Sequence, residues 1–167
     1  MKGGAVLETR DIQFERDKET ILQFRKDIEE VITGSKVNDY DYAAYLGRME
    51  RRIEQSNGGQ VFIIRENRVI GQIGCEWREG AGYVNIFYIL PEFRGQGYGR
   101  EMIDWAENFF LHHGTYTYHL RVATSNERAY RLYRKSGMYP VRKEGRNYVM
   151  QKSLNFPLQD RGKGLHL

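Results

Sequence analysis

The chain has 167 residues, of which 40% are hydrophobic, and this is enough to bury the core of one compact domain. Its 12 tyrosines and 8 phenylalanines argue against a disordered chain, because disordered segments carry few aromatic side chains. The net charge of +4 comes without a dense basic tract, so it fits an electropositive cleft for a polyphosphate cofactor as well as it fits nucleic acid.

The N-terminus and the cysteine content indicate the cellular compartment of the protein. The chain reaches the charged Glu8 before a signal-like apolar run develops, and no stretch approaches the roughly 20 apolar residues of a membrane span. Cys75 is the only cysteine, so an intramolecular disulfide is excluded, and no Cys/His set has metal-ligand spacing. We therefore expect a cytoplasmic protein that uses no metal and contacts no membrane.

A strand and two helices are predicted ahead of the main sheet. Residues 6–14 are expected to form a short first strand. Apolar side chains then recur at helical spacing over residues 18–32 and again over residues 39–54. The Ser-Asn-Gly-Gly run at 56–59 is a stop signal for the second helix.

Strands dominate the middle of the chain. Residues 61–64 and 69–77 predict a hairpin, and the glycine-containing turn at 79–82 follows it. Residues 83–90 form an apolar run typical of a central strand. Pro91 is expected to end that strand, because proline cannot donate a ladder hydrogen bond.

The C-terminal half alternates between helices and strands. Apolar side chains at three- and four-residue spacing predict a long helix over residues 97–114, and period-two alternation predicts a strand over 116–122. Thr124 with Glu127 fits a capping box for a further helix that runs to Lys135.

The end of the chain predicts a hairpin and a tail. Strands are expected at 138–142 and 147–152, and residues 155–167 are expected to form a loose tail. Residues 1–154 are therefore predicted to be a single domain, because neither an internal repeat nor a linker divides them.

The turn between the central strand and the long helix is glycine-rich and basic. It lies at a helix N-terminus, where unpaired N–H groups and the helix dipole favour an anion. Glycines let the backbone approach phosphate oxygens, although they could also merely relieve crowding. The residues predicted to cradle a phosphate are Arg94, Gly95, Gln96, Gly97, Tyr98, Gly99 and Arg100.

Other glycine motifs do not fit this turn. A dinucleotide-binding G-x-G-x-x-G would place its third glycine at Arg100 or Met102, and a P-loop would need Gly-Lys at Arg100-Glu101. The pattern that is present is Arg-x-x-Gly-x-Gly, with Gly95 as an additional glycine.

Two motifs together resemble a known family. The first is the Arg-x-x-Gly-x-Gly turn, which is similar to the pyrophosphate motif of the GNAT superfamily of acyl-CoA N-acyltransferases. The second is residues 126–138, NERAYRLYRKSGM, which resemble the family signature Asn-x-x-Ala-x-x-Leu-Tyr-x-x-x-Gly-Phe with Met138 in place of the phenylalanine. The resemblance covers about Gln60 to Lys152.

The resemblance implies a fold and an activity. The fold would be α/β (α+β), with a mixed, mostly antiparallel sheet of about seven strands, a splayed central strand pair and four surrounding helices. The activity would be transfer of an acetyl group from acetyl-CoA to a primary amine, by direct attack in a ternary complex. The acceptor would be a small molecule or a peptide, and a homodimer through the sheet edge or terminal strands stays open.

The resemblance also implies site residues. Tyr133 would donate a proton to the departing thiolate, and the main chain of Tyr88, Ile89 and Leu90 would bind the pantetheine arm and polarise the thioester. Asn126 would hold the cofactor. From the residues alone, Tyr133 reads as a core aromatic and Asn126 as a helix cap.

The general base is the least defined element of this prediction. Glu76 is the candidate carboxylate, because it lies near a strand end, although a lone Glu is more often a solvated edge residue. Asn85 could orient a water or be a satisfied core amide. A water chain without a dedicated base is a further alternative, and His119 is expected to have a surface role.

Two alternatives to an enzyme stay open. The first is a non-catalytic acyl-CoA-binding sensor, which Tyr133 disfavours because a sensor needs no proton donor. The second is a small nucleic-acid-binding α/β domain, which would bind DNA or RNA in a salt-dependent manner. The identity of the amine acceptor cannot be read from the residues.

Overall fold

The computed structural model describes residues 6–36 and 38–155, which form one seven-stranded sheet with helices on both faces. The described strands are β1 Thr9–Asp11, β2 Gln60–Arg65, β3 Arg68–Arg78, β4 Ala81–Ile89, β5 Thr117–Ala123, β6 Tyr139–Glu144 and β7 Asn147–Ser153. The described α-helices are α1 Phe14–Thr33, α2 Tyr42–Gln55, α3 Tyr98–His112 and α4 Glu127–Lys135, and a 3₁₀ turn covers Pro91–Phe93.

The sheet is antiparallel except at its centre. Its strand order is β1-β2-β3-β4-β5-β7-β6, and β4 and β5 form its parallel pair. This architecture confirms the predicted fold class, and none of the described helices combines the length and apolar character that crossing a membrane requires.

The parallel pair is short, and its two strands then separate. β4 and β5 are paired only where Gly82–Val84 lie beside Tyr118–Leu120, although β4 continues to Ile89 and β5 to Ala123. Main-chain groups that would bond across a longer pair are therefore left facing a gap. The predicted splay of the central strands is present.

A β-bulge in β4 lies at the point where the strands part. Gly74 of β3 is opposite Ile86, whereas the next residue, Cys75, is opposite Val84, so Asn85 is the extra residue. A bulge bends its strand and increases the local twist. The bend therefore explains why β4 leaves β5 beyond Val84.

Two hydrophobic cores hold the helices on opposite faces of the sheet. The first face buries Ile21 and Phe24 of α1 with Met49 of α2. The second face buries Met102 and Phe110 of α3, and Tyr133 of α4 packs in the same core. The apolar periodicity of these helices reflects the one face that each buries.

The first helix begins earlier than predicted. The Asp17 carboxylate accepts the Gln13 N–H at 2.8 Å and pairs with the Arg10 guanidinium at 2.9 Å. These contacts stabilise a helix start at Phe14 and leave β1 only three residues, so the predicted strand over 6–14 is too long.

The predicted cap of α4 is wrong. The Thr124 N–H donates to the Arg146 carbonyl at 2.9 Å, which ties Thr124 to the terminal hairpin. Asn126 caps the helix instead, because its side-chain oxygen accepts the Ala129 N–H at 3.2 Å. The predicted tail lies outside the described residues from position 156 onward.

Candidate active site

The glycine-rich turn adopts a backbone that favours glycine. Gly95 has φ of +76° and Gly97 has φ of +91°, both in the left-handed region that side chains disfavour. Two side chains brace the turn: the Arg94 Nε donates to the Ile89 carbonyl at 3.0 Å, and the Gln96 amide donates to the Glu92 carbonyl at 3.0 Å.

The turn presents unpaired amides at the start of α3. The first intrahelical hydrogen bond runs from the Glu101 N–H to the Gly97 carbonyl. The preceding N–H groups, on Tyr98, Gly99 and Arg100, have no acceptor in the described chain, as expected for a first helical turn. Arg100 is exposed beside them, so the turn offers amides and positive charge to an anion.

Gly97 and Gly99 of the turn have different roles. A Cβ on Gly97 would meet nothing within 4 Å, whereas a Cβ on Gly99 would lie 2.7 Å from the Leu132 side chain. Gly99 therefore allows α3 and α4 to pack closely. Nothing in the described chain crowds the Cβ position of Gly97, so relief of crowding does not account for that glycine.

The free main chain of β4 faces the splay. The Leu90 N–H donates to the Ile70 carbonyl at 2.8 Å, so it is used within the sheet. Because main-chain groups alternate in direction along a strand, those of Ile89 and Phe87 point toward the side that β5 has left. The Arg94 contact to the Ile89 carbonyl agrees with that direction.

The side chain of Tyr88 lies on the face of the sheet that α1 covers. Its hydroxyl donates to the Asp27 carboxylate of α1 at 2.5 Å. Burial raises the pKa of the Tyr88 phenol, and the hydrogen bond to Asp27 raises it further. Of the three residues predicted to bind pantetheine through their main chain, Tyr88, Ile89 and Leu90, Ile89 is the one whose main chain faces the gap.

Tyr133 lies against the splay from the opposite helix layer. Tyr133 is buried, with 6% of its surface exposed. Its ring lies edge-on to that of Phe87, with 6.0 Å between the ring centroids. Burial raises the pKa of the Tyr133 phenol, so it is protonated at neutral pH. Within the described chain its hydroxyl has no hydrogen-bond partner, which leaves the proton available.

Glu76 is held in ion pairs on the α2 side of the sheet. One carboxylate oxygen accepts from the Arg52 Nε at 3.0 Å, and the other accepts from the Arg78 guanidinium at 2.7 Å. Both oxygens are therefore occupied. To accept a proton from a substrate, Glu76 would have to give up one arginine.

Asn85 is a satisfied amide at the bulge. The Gln60 Nε2 donates to its side-chain oxygen at 2.8 Å, and the Asn85 Nδ2 returns a bond at 3.3 Å. This pair lies across Gly74, where a Cβ would be 2.5 Å from the Asn85 nitrogen. The amide therefore stabilises the bulge and is not positioned as a free donor.

His119 is a titratable group at the splay that the sequence analysis assigned to a surface role. It lies on β5 opposite Tyr83, one residue before the last paired position, with 4.9 Å between the two rings. Burial lowers the pKa of the His119 imidazole, the positive charges of Arg78, Arg142 and Arg121 lower it further, and a hydrogen bond with the Gly82 backbone opposes them. His119 is therefore neutral at pH 7. Only the assembled sheet brings His119 close to Arg78 of β3 and Arg142 of β6.

Comparisons with known proteins agree with this geometry. The model of the acetyltransferase (GNAT) family matches residues 21–138. No curated protein matches the chain by sequence.

Solved structures share the fold. The paia N-acetyltransferase of Thermoplasma acidophilum, in complex with coenzyme A, is 19% identical, with a TM-score of 0.74 over 89% of this chain and 99% of its own. The yncA protein of Salmonella typhimurium, with its cofactor acetyl-CoA, is 18% identical, with a TM-score of 0.66 over 90% of this chain and 95% of its own. The ribosomal-protein-alanine N-acetyltransferase of Brucella melitensis is 17% identical, with a TM-score of 0.66 over 89% and 100%.

Proposed function

Because the chain belongs to the acetyltransferase (GNAT) family, we propose that it transfers an acetyl group from acetyl-CoA to a primary amine by direct attack in a ternary complex. One observation carries the proposal: the gap between β4 and β5 begins at the bulge and runs toward a turn with unpaired amides. A phosphate-bearing arm can lie along that gap and end at the bulge.

The turn holds the diphosphate of the cofactor. The N–H groups of Tyr98, Gly99 and Arg100 donate to its oxygens, and the helix dipole of α3 adds favourable charge. Gly95 and Gly97 allow the backbone to approach, while Arg94 and Gln96 brace the turn.

The pantetheine arm then lies in the gap. The main chain of Ile89, with that of Phe87, offers hydrogen bonds to the arm and to the thioester. Tyr88 and Leu90 support this strand from its other side, through the Asp27 and Ile70 contacts. Asn126 caps α4, the helix that carries Tyr133. The reaction as proposed uses no metal.

The reaction needs three proton transfers: from the acceptor ammonium to a base, from Tyr133 to the thiolate, and from the acylated nitrogen. A base takes a proton from the acceptor ammonium, and the resulting amine nitrogen forms a bond to the acetyl carbonyl carbon. Main-chain N–H groups of β4 in the gap stabilise the tetrahedral oxyanion. When the carbon–sulfur bond breaks, the thiolate takes the Tyr133 hydroxyl proton. The acylated nitrogen then loses its extra proton, which returns the Tyr133 phenolate to its protonated form, and the products are an N-acetylated amine and coenzyme A.

Two side chains compete for the role of base. Both carboxylate oxygens of Glu76 are bonded to arginines. His119 is neutral, lies beside the last β4–β5 pair and is half-buried. We favour His119 because it can accept a proton without breaking an ion pair.

The proposal is tested by incubating the protein with acetyl-CoA and a panel of amines. The panel contains peptides with free N-termini, lysine, polyamines and aminoglycosides, and the measurement is the release of free thiol. We expect release that depends on at least one amine. Binding of acetyl-CoA without turnover for any amine would favour the sensor alternative, and lack of acetyl-CoA binding would refute the cofactor site.

A further inference from the structure

Three strands of the sheet have one face without a described helical core. The core under α1 and α2 takes its strand residues from β2, β3 and β4, and none of its described members lies on β5, β6 or β7. On the other face of these strands, Tyr118, Leu120 and Met150 pack in the core of α3 and α4. The side chains that alternate with them along β5 and β7 therefore point to what we call the open face.

The proposed base points to the open face. His119 lies between Tyr118 and Leu120 on β5, so its side chain has the opposite direction from theirs. Because the phosphate turn begins α3 and Tyr133 lies on α4, the cofactor reaches the gap from the side of these helices. An acceptor amine that meets His119 therefore arrives from the open face. The cross-strand row of His119 also contains Glu76, Tyr83, Gln151 and Tyr139.

The first of two charged clusters on this face is centred on Glu76. Its carboxylate is shared by Arg52 and Arg78, as described above. The Arg78 guanidinium carbon lies 3.6 Å from the centroid of the Tyr83 ring, and the centroid of that ring lies 4.9 Å from that of His119. Arg78 therefore brings a positive charge close to the proposed base.

The second cluster lies on the other side of His119. Arg121 follows His119 by two residues on β5, so both side chains point to the open face, about 7 Å apart along the strand. Arg142 of β6 points the same way, because Val149 pairs with both arginines. The two arginines share the Glu144 carboxylate, at 2.6 Å each.

Together the two clusters are cationic and accessible. They contain four arginines and two glutamates, so two positive charges are in excess. Arg121 and Arg142 are 47% and 57% exposed, and exposed ion pairs such as theirs with Glu144 contribute little, so both arginines can bind a further anion. Burial and then the charges of the nearby arginines lower the pKa of His119, in agreement with a positive potential here.

We propose that the acceptor is an amine with a carboxylate close to its amino group, and that Arg121 and Arg142 bind this carboxylate while the amine lies at His119. The inference rests on the proposed acetyl transfer and specifies its acceptor class. An arginine fork binds a carboxylate through two parallel hydrogen bonds. The carboxylate belongs either to a free amino acid or to the acidic first residue of a peptide. Polyamines and aminoglycosides carry several positive charges, so this face disfavours them.

The test measures kcat/KM, per neutral amine, for acceptors that differ in one charge. The first pair is alanine and alaninamide, and the second is the dipeptide amides Asp-Ala and Asn-Ala. At pH 8, well above the pKa of His119, a change in that pKa does not alter the rates. For the natural chain we expect an about tenfold preference for the carboxylate, the size of effect for a charge-assisted contact at a partly exposed site. A preference in the first pair identifies a free amino acid as the acceptor, and one in the second pair identifies an acidic peptide.

Arg142→Glu removes both excess charges through one exposed side chain. We expect the preference to fall to within about twofold in this variant. Lys143→Glu is the matched control, because it makes the same change in charge at the next residue. Lys143 pairs with Tyr148, which packs against the core of α3 and α4, so its side chain points away from the open face. The control should keep the full preference.

Four results would overturn the inference. The natural chain could show no preference in either pair, it could acetylate spermidine better than every carboxylate-bearing amine, Arg142→Glu could keep the preference, or Lys143→Glu could lose it as well. In each of these cases an amine is still acetylated, so the proposed function stands. If no amine is acetylated by the natural chain, the proposed function is refuted, and this inference fails with it.

Discussion

At the scale of single residues, a substitution at Gly97 distinguishes an effect on cofactor binding from an effect on folding. A Cβ there meets no protein atom within 4 Å, so Gly97→Ala should cost only the backbone strain of φ +91°, about 1–2 kcal/mol. The methyl group would, however, occupy the space in front of the turn's amides. We expect the variant to fold and to lose most of its affinity for coenzyme A, measured by calorimetry.

Gly58→Ala is the matched control for that substitution. Gly58 has φ of +86° and open space around its Cβ position, but it lies in the turn after α2. It should lose similar stability and keep its affinity. Unchanged coenzyme A affinity in Gly97→Ala would contradict the phosphate cradle.

The hydroxyl of Tyr133 can be removed without disturbing its packing. In Tyr133→Phe the ring keeps its contact with Phe87, and the lost hydroxyl has no protein partner in the described residues. We expect kcat to fall by about 10²-fold, at the low end for a lost general acid, with an unchanged Kd for coenzyme A. Tyr130→Phe, on the same helix and with its ring packed at a tilt against that of Tyr148, should retain kcat. Equal kcat in natural and Tyr133→Phe proteins would eliminate Tyr133 as the acid.

The pH profile distinguishes the two candidate bases. The pKa of His119 lies below its usual 6.5, so its neutral, proton-accepting form is lost only as the pH falls below that value. We expect an acidic limb in kcat/KM below pH 6.5 that disappears in His119→Gln and persists in Glu76→Gln.

The arginines around His119 provide an independent check. Arg78 of β3, Arg121 of β5 and Arg142 of β6 lower its pKa. Arg142→Gln should therefore move the acidic limb toward higher pH, and Lys143→Gln on the same strand should leave it in place. A limb that moves in neither variant would argue against His119.

At the scale of secondary structure elements, the bulge in β4 produces the gap. The amide pair between Asn85 and Gln60 holds the bulge, and Gln60 is only 2% exposed. Asn85→Ala would leave the Gln60 amide with its one remaining bond, to the Cys75 carbonyl. We expect a loss of about 1–3 kcal/mol in unfolding free energy, together with a lower kcat because the β4 amides shift.

Denaturant unfolding and steady-state kinetics measure the two effects of Asn85→Ala. Gln55→Ala, at the exposed end of α2, is the control and should change the unfolding free energy by less than about 0.5 kcal/mol. If Asn85→Ala matched the control in both measurements, the amide pair would not be what maintains the bulge.

At the scale of the whole molecule, cofactor binding should stabilise the fold. The turn follows β4 directly, but α4 comes from a later part of the chain, so a ligand that contacts all three binds only the folded state. At one hundred times its Kd, coenzyme A should stabilise the protein by about 2.7 kcal/mol and raise Tm by roughly 5–10 °C.

Thermal unfolding with matched ligands checks this expectation. NAD, which shares the adenosine diphosphate but lacks pantetheine, should raise Tm less at the same concentration, and duplex DNA should not raise it. A larger rise with DNA than with coenzyme A would favour the nucleic-acid alternative.

The sequence alone determined the elements and the phosphate turn. The helix at 98–112 follows from apolar spacing, and the turn follows from glycines and arginines at a strand-to-helix junction. The helix at 127–135 was predicted from a capping box that assigned the wrong cap residue. These are local features, since the residues that define them lie within a few positions of one another. The predictions were wrong where a residue bonds to a partner far along the chain, as at Thr124, whose N–H donates to the Arg146 carbonyl.

Only the tertiary structure decided which side chains share the site. The bulge at Asn85 depends on Gln60, Glu76 is occupied by Arg52 of α2, and Arg128 reaches Gly95 from another helix. These contacts join residues far apart in the chain, and neither spacing nor composition records such pairings. Local propensity therefore predicts the position of the turn, whereas the gap and the environment of His119 arise from long-range packing.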